Sequence, residues 1–154
     1  MSCRRYVAVE KPFRHEHLMS SISAIAVSGM VAATRRLEVS ASNVANLETT
    51  GALPAADGTV PAGAPRAYAP LRVNQTESAG GGTQTTVSTV TPSSIAISDP
   101  QAPFANQDGE VAAPNVDISQ EMINQMIANY SFAANADVMK ADDGMTKTLI
   151  DTMA

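Results

Sequence analysis

Between Gly51 and Asn115 the chain is interrupted by Pro54, Pro61, Pro65, Pro70, Pro92, Pro100, Pro103 and Pro114, and by the run Gly80, Gly81, Gly82. Proline removes a backbone donor and clashes with the carbonyl four residues earlier, so no long helix survives that spacing. Helix is confined to the two ends.

Both ends carry a helical stripe. From Met19 to about Glu48, Ala26, Met30, Ala33, Leu37, Ser40, Val44 and Leu47 recur at alternating steps of four and three, a near-heptad seam. Large residues at 30, 37 and 44 alternate with small ones at 26, 33 and 40, which lets a facing helix approach closely at every second layer. Ser20 or Ser21 suits the start of this helix and Gly51 its C-terminal stop. From Asp117 onward, Ile123, Ile127, Tyr130, Ala134, Val138, Ala141, Met145, Leu149 and Thr152, all but the last apolar, follow a period near 3.6 residues, with Asn115 or Asp117 as N-cap. Gly144 inside that run costs about 1 kcal/mol relative to Ala and invites a bend or a close backbone contact.

In the middle, "YAPLRVNQTE" and "GTQTTVSTVTPSSIAIS" place β-branched residues on either side of the glycines, which predicts a short two- or three-strand antiparallel element turning at Ala79 to Gly82. Residues 52–66 hold little to bury and read as a mobile loop. The expected fold is mainly α: two long terminal helices as an antiparallel coiled-coil-like pair with a short irregular or β-hairpin insertion, each stripe covering the other. The boundaries are an extension at 1–18, an N-terminal helix at 19–50, the insertion at 51–115 and a C-terminal helix at 116–154. Met19 directly precedes the first periodic helix, so translation is expected to start there rather than at Met1.

Such a pair has a thin core. Only 4% of the residues are aromatic, there is no Trp, and much of the 44% apolar content is Ala, which buries little area. Two helices lack a third layer, so the Met122 and Met126 edge and the Ile22 and Ile25 edge are left as apolar patches that call for self-association or a larger bundle.

The formal charge of −5 argues against a phosphate-binding surface, and no nucleic acid is expected. A single Cys3 provides neither disulfide nor thiolate metal site. No apolar run is long enough for a membrane span, and residues 1–18 lack the apolar core of a signal peptide. His15 and His17 form a pair with no third ligand at useful spacing. "NQDGE" fails as a calcium loop, since aligning Gly109 puts Phe104 at the first ligand position. Gly80 to Gly82 lack the Lys and Ser/Thr of a phosphate loop. Asp142 and Asp143, about 100° apart on a helix, read as a solvated face. No active site, cofactor, metal or small-molecule substrate is expected.

The first helix keeps its stripe while filling with Ser42, Asn43 and Asn46, residues that resist helix formation. From spacing alone these are either a solvated polar face near a helix end or amides that bond another chain. "SGM" at 28–30, Leu37 seven residues after Met30, then "SNVAN" at 42–46 with Thr49 three residues on, resemble the N-terminal signature of bacterial flagellar axial proteins, the rod, hook and hook-associated subunits. "GEVAAPNVDISQEMINQMIANYSFAAN" at 109–135 resembles the C-terminal region of the proximal rod subunit of the C type. The sequence departs from that pattern at Tyr130, Phe132 and Ala133, where the family has Arg, Tyr and Glu, at Leu47, where it has Ala, and at Glu110, where it has Tyr. The short middle favours a proximal rod subunit over hook or distal rod proteins.

The resemblance implies a structural subunit of the flagellar rod that transmits motor torque across the periplasm. It further implies partners in other rod subunits and in copies of itself, and passage through the flagellar type III export apparatus without a cleaved signal. It turns the amides toward an adjacent subunit and implies an interface of Met30, Leu37, Ser42, Asn43, Val44, Asn46, Asn115, Met122, Ile123, Met126, Ile127 and Asn135. A non-flagellar helical adaptor, or another flagellar axial protein, is the alternative.

Overall fold

The computed structural model describes residues 15–55 and 58–153, with the side chains of all of these except 15–21. Along the chain run α1 (His15–Ala45), β1 (Leu71–Glu77), β2 (Thr83–Thr89), β3 (Ser94–Ser98), β4 (Glu110–Pro114) and α2 (Ile118–Met153). Helix α1 thus begins ahead of Met19, and the expected extension falls outside the described residues as far as residue 14. The side chains of His15 and His17 also lie outside them.

Side-chain amides and carboxylates set the helix ends. At the end of α1, the Ser42 carbonyl accepts twice from Asn46, from its backbone N at 3.1 Å and from its Nδ2 at 2.8 Å. Gly51, expected to stop this helix, lies beyond it and pairs with Ala112 through N···O contacts of 2.9 and 2.8 Å. At the start of α2 Asp117 is the cap: its Oδ1 accepts from Ser119 N at 2.8 Å and from Gln120 N at 3.2 Å.

The middle overturns the expected fold class. It holds two antiparallel two-stranded sheets, β1 with β2 and β3 with β4, rather than a short irregular or hairpin insertion between helices. The hairpin closes where expected, Ser78 N donating to Gly82 O at 3.2 Å, with Gly81 and Gly82 at φ 87° and 84°. Strand β4 lies between β3 on one edge and the Gly51 bridge on the other, and Val111, Ala112, Ala113 and Pro114 are all buried. "EVAAP" has weak strand propensity, and only these long-range pairings make it a strand.

The two helices run antiparallel, with Ser23 meeting Asp142, Gly29 meeting Asn135 and Ser40 meeting Glu121. The hairpin lies along α1, where Ser28 Oγ accepts from Thr83 N at 3.1 Å and Arg36 Nη2 donates to Gln75 Oε1 at 3.0 Å. Helix α1 turns its small residues inward, burying Ala26, Ala32, Ala33 and Ser40.

The expectation that each stripe covers the other fails for α2. Its inward face is small and polar, with Glu121, Asn124, Ala128, Asn135 and Asp142 buried or half-buried, while Ile123, Ile127, Tyr130, Val138, Met145 and Leu149 are exposed. Close approach is the reason. A Cβ placed on Gly29 would fall 2.6 Å from Asn135 Cγ, so a gap this narrow has no room for large side chains. Asp142, expected on a solvated face beside Asp143, is buried at 4% exposure, whereas Asp143 is exposed.

Replacing Asp117 by Ala should lower stability by about 1 kcal/mol, with Asp117→Asn retaining most of it; urea unfolding followed by helical circular dichroism measures both.

Candidate assembly interface

The polar residues of the "SNVAN" segment converge on one internal junction. Pro70 O accepts from Val90 N and Gly82 O from Ser78 N, so the backbone N–H and C=O of Leu71 point away from β2. Asn43 takes both. Its Nδ2 donates to Leu71 O at 2.8 Å and its Oδ1 accepts from Leu71 N at 3.0 Å, so one carboxamide continues the ladder as a strand residue would. The same Nδ2 donates to Glu121 Oε1 at 2.8 Å, and Tyr68 Oη donates to Oδ1 at 3.2 Å. At 1% exposure, Asn43 joins α1, the hairpin and the first turn of α2.

The other expected amides are also engaged within the chain. Ser42 Oγ lies 3.0 Å from Tyr68 Oη, and Asn46 Nδ2 bonds the Ser42 carbonyl as described. Asn115 Nδ2 donates to Pro92 O at 3.0 Å, holding the entry to α2 against the segment before β3. Asn135 Nδ2 donates to Ser131 O at 2.7 Å and its side chain fills the space over Gly29. The "SGM" glycine and the last asparagine of the C-terminal motif are therefore in contact. Each of these amides thus has a bond within the chain.

The apolar members of the expected set point the other way. Met122 is 60% exposed, and Ile123, Met126 and Ile127 are exposed with it; Leu37 is exposed beside Phe132, and Met30 and Val44 are half-buried. Tyr130, outside the expected interface set, is 77% exposed on the same stripe. Residues 122–136 contain no Asp, Glu, Lys or Arg, so this exposed helical surface lacks the charge of a solvated face. On α1 a second apolar strip is formed by Val27, Met30 and Val31, bracketed by Thr85 of β2 and Phe132 of α2. Residues 18–34 contain no ionisable side chain.

Glu121, Tyr68 and Leu71 escaped the sequence reading because their partners are distant in the chain. Among the described residues no group of His, Cys, Asp and Glu is arranged to hold a metal ion, and no helix is long and apolar enough to cross a membrane.

Two family models match this chain: the flagella basal body rod protein model over residues 24–52 and the flagellar basal body rod FlgEFG protein C-terminal model over 107–152. The flagellar basal-body rod protein FlgC of Salmonella typhimurium is 33% identical over 132 residues, covering 81% of this chain and 91% of the relative. FlgC of Escherichia coli O6:H1 is 35% identical over 131 residues with the same coverage, and FlgC of Bacillus subtilis 29% identical over 133 residues. The chain belongs to the FlgC family of flagellar basal-body rod proteins. It is a structural subunit of the flagellar basal body, serving motility as part of the rod. The two matched segments of this FlgC-family chain are the ones that Asn43, Glu121, Gly29 and Asn135 bring together.

Asn43→Ala strips partners from the Leu71 backbone and the Glu121 carboxylate and should cost at least about 2 kcal/mol. Asn43→Asp should do no better, since it sets a second carboxylate against Glu121; urea midpoints test both. Gly29→Ala should displace the Asn135 amide, and the overlap, offset by about 1 kcal/mol of helix propensity, should leave a net loss of at most about 2 kcal/mol that Asn135→Ala in the same chain turns into a gain.

Proposed function

We propose that this rod subunit assembles with neighbouring rod subunits, including copies of itself, through the outward apolar faces of its two helices. The exposed and uncharged α2 stripe from Met122 to Tyr130 carries this reading. Exposed Met, Ile and Tyr side chains each gain roughly 1.5–3 kcal/mol when a neighbour buries them fully, which offsets the cost of fixing the subunit in place. The strip on α1 and the stripe on α2 are different surfaces. A contact between unlike surfaces is heterologous, and such contacts build open helical arrays when the rotation does not close. That is the symmetry a rod requires.

Leu37, Met122, Ile123, Met126 and Ile127 are the residues of the expected interface best placed for this role, joined by Tyr130 and Val31. Ser42, Asn43, Asn46, Asn115 and Asn135 act inside the subunit, setting the angle at which those faces are presented. On this reading the chain has no catalytic role. It reaches the rod by flagellar type III export without a cleaved signal and takes its place where the rod crosses the periplasm, transmitting torque.

Met122→Asp and Tyr130→Asp test the assignment, because these side chains are already 60% and 77% exposed in the free chain. Folding stability should move by no more than about 0.5 kcal/mol, while rod incorporation and swimming are lost. Normal motility in both variants would overturn the interface.

A further inference from the structure

The apolar strip on α1 is not flat. Val27, Met30 and Val31, with Thr85 of β2 and Phe132 of α2, wall a hollow of about 360 Å³. The charged residues at its margin are Arg35 and Glu38, paired with each other at 3.0 Å. Apolar walls with one ion-paired edge suit a side chain that is apolar along its length and carries a hydroxyl at its tip.

Tyr130 is such a side chain. At 77% exposure it projects furthest of the large residues in the charge-free segment 122–136. It cannot fill the hollow of its own chain: Phe132, which walls that hollow, is two residues further on and therefore about 160° away around α2. Each chain thus presents a ring on one side and, on another, a hollow that this ring does not reach.

Charge indicates whose ring enters. A chain of formal charge −5 repels its own copies over much of its surface. Segment 122–136 carries no Asp, Glu, Lys or Arg, and the Arg35 and Glu38 charges beside the hollow cancel. Two copies meet here without like-charge repulsion.

We propose that Tyr130 is the anchor of the contact between copies of this chain: its ring enters the hollow of the next copy, against Phe132, and its hydroxyl donates to the Glu38 carboxylate. This rests on the assembly reading above and adds to it which side chain enters which surface. A Met or Ile from the same stripe would cover the ion pair without bonding to it, whereas an aromatic ring in a walled pocket is the usual form of an interface anchor. A copy held through its hollow still offers its own Tyr130, so the contact propagates instead of closing on a pair.

Rods carrying two reporter cysteines test the anchor. In a Cys3→Ser background, Ala134→Cys lies one turn from Tyr130 on the same face of α2, and Thr34→Cys lies beside the hollow; both positions are exposed, and both exchanges leave Tyr130, Phe132 and the ion pair in place. Basal bodies isolated from swimming cells and treated with a short bismaleimide should yield dimers and higher multiples of this chain when one chain carries both cysteines, and none when it carries either alone. No multiples in the double variant, or a product joining this chain to a different rod protein in their place, would overturn the proposal. Tyr130→Phe, which keeps the ring, should keep rod incorporation, and Tyr130→Met, which keeps only apolar bulk, should lose it; equal incorporation of the two also overturns the anchor. Should Met122→Asp block incorporation while no multiples form, the anchor falls and the assembly reading stands; should both Asp variants swim normally, the two fall together.

Discussion

The constraint on which the fold depends is the demand of one extended residue, Leu71, for a partner on the side away from its own hairpin. A carboxamide presents a donor and an acceptor side by side, which is what an extended backbone residue offers and needs. Asn43 meets that demand from within a helix and still reaches Glu121. Helix α1 is thereby tied in rotation to the hairpin and in height to the first turn of α2. Shifting α1 by one residue would turn Asn43 away by about 100° and break every one of these bonds.

Once that junction is made, the facing of α2 follows. Glu121 must point to α1, and residues three or four apart along the same face come with it: Asn124, Ala128, Asn135 and Asp142. The apolar stripe is rotated off the interface and into solvent. A helix pair normally closes on its large apolar residues; here a polar junction and close contacts such as Gly29 on Asn135 close it, and the apolar stripe stays exposed. Under the assembly proposed above, the burial missing from the subunit's own fold is recovered between subunits.

The central sheets explain how a thin helical pair holds its geometry. Strand β4 is buried between β3 and the Gly51 bridge, and it leads through Asn115 to the Asp117 cap, so the start of α2 is anchored to a packed body. The hairpin bears on the other side of α1 through Ser28, Arg36 and Asn43. The Asn43 and Asp117 bonds gather at one end of the helices, while toward the other the hairpin tip packs on Ile25 and Ser28 and Asp142 Oδ1 is buried without a partner.

By itself the sequence determined where helix is possible, because proline and glycine act locally on the backbone. It also determined the hairpin turn between Ala79 and Gly82, narrowed the cap of α2 to Asn115 or Asp117 and, through the two end motifs, gave the family. These are statements about neighbours in the chain. Tertiary structure decided the rest: that "EVAAP" is a strand, that Asn43 bonds inward to Leu71, that Asp142 is buried, and that the α2 stripe faces out. Periodicity reports that a helix has an apolar face but carries no information on what that face meets. Here hydrogen bonds between residues far apart in sequence outweighed the burial of the stripe within a single chain.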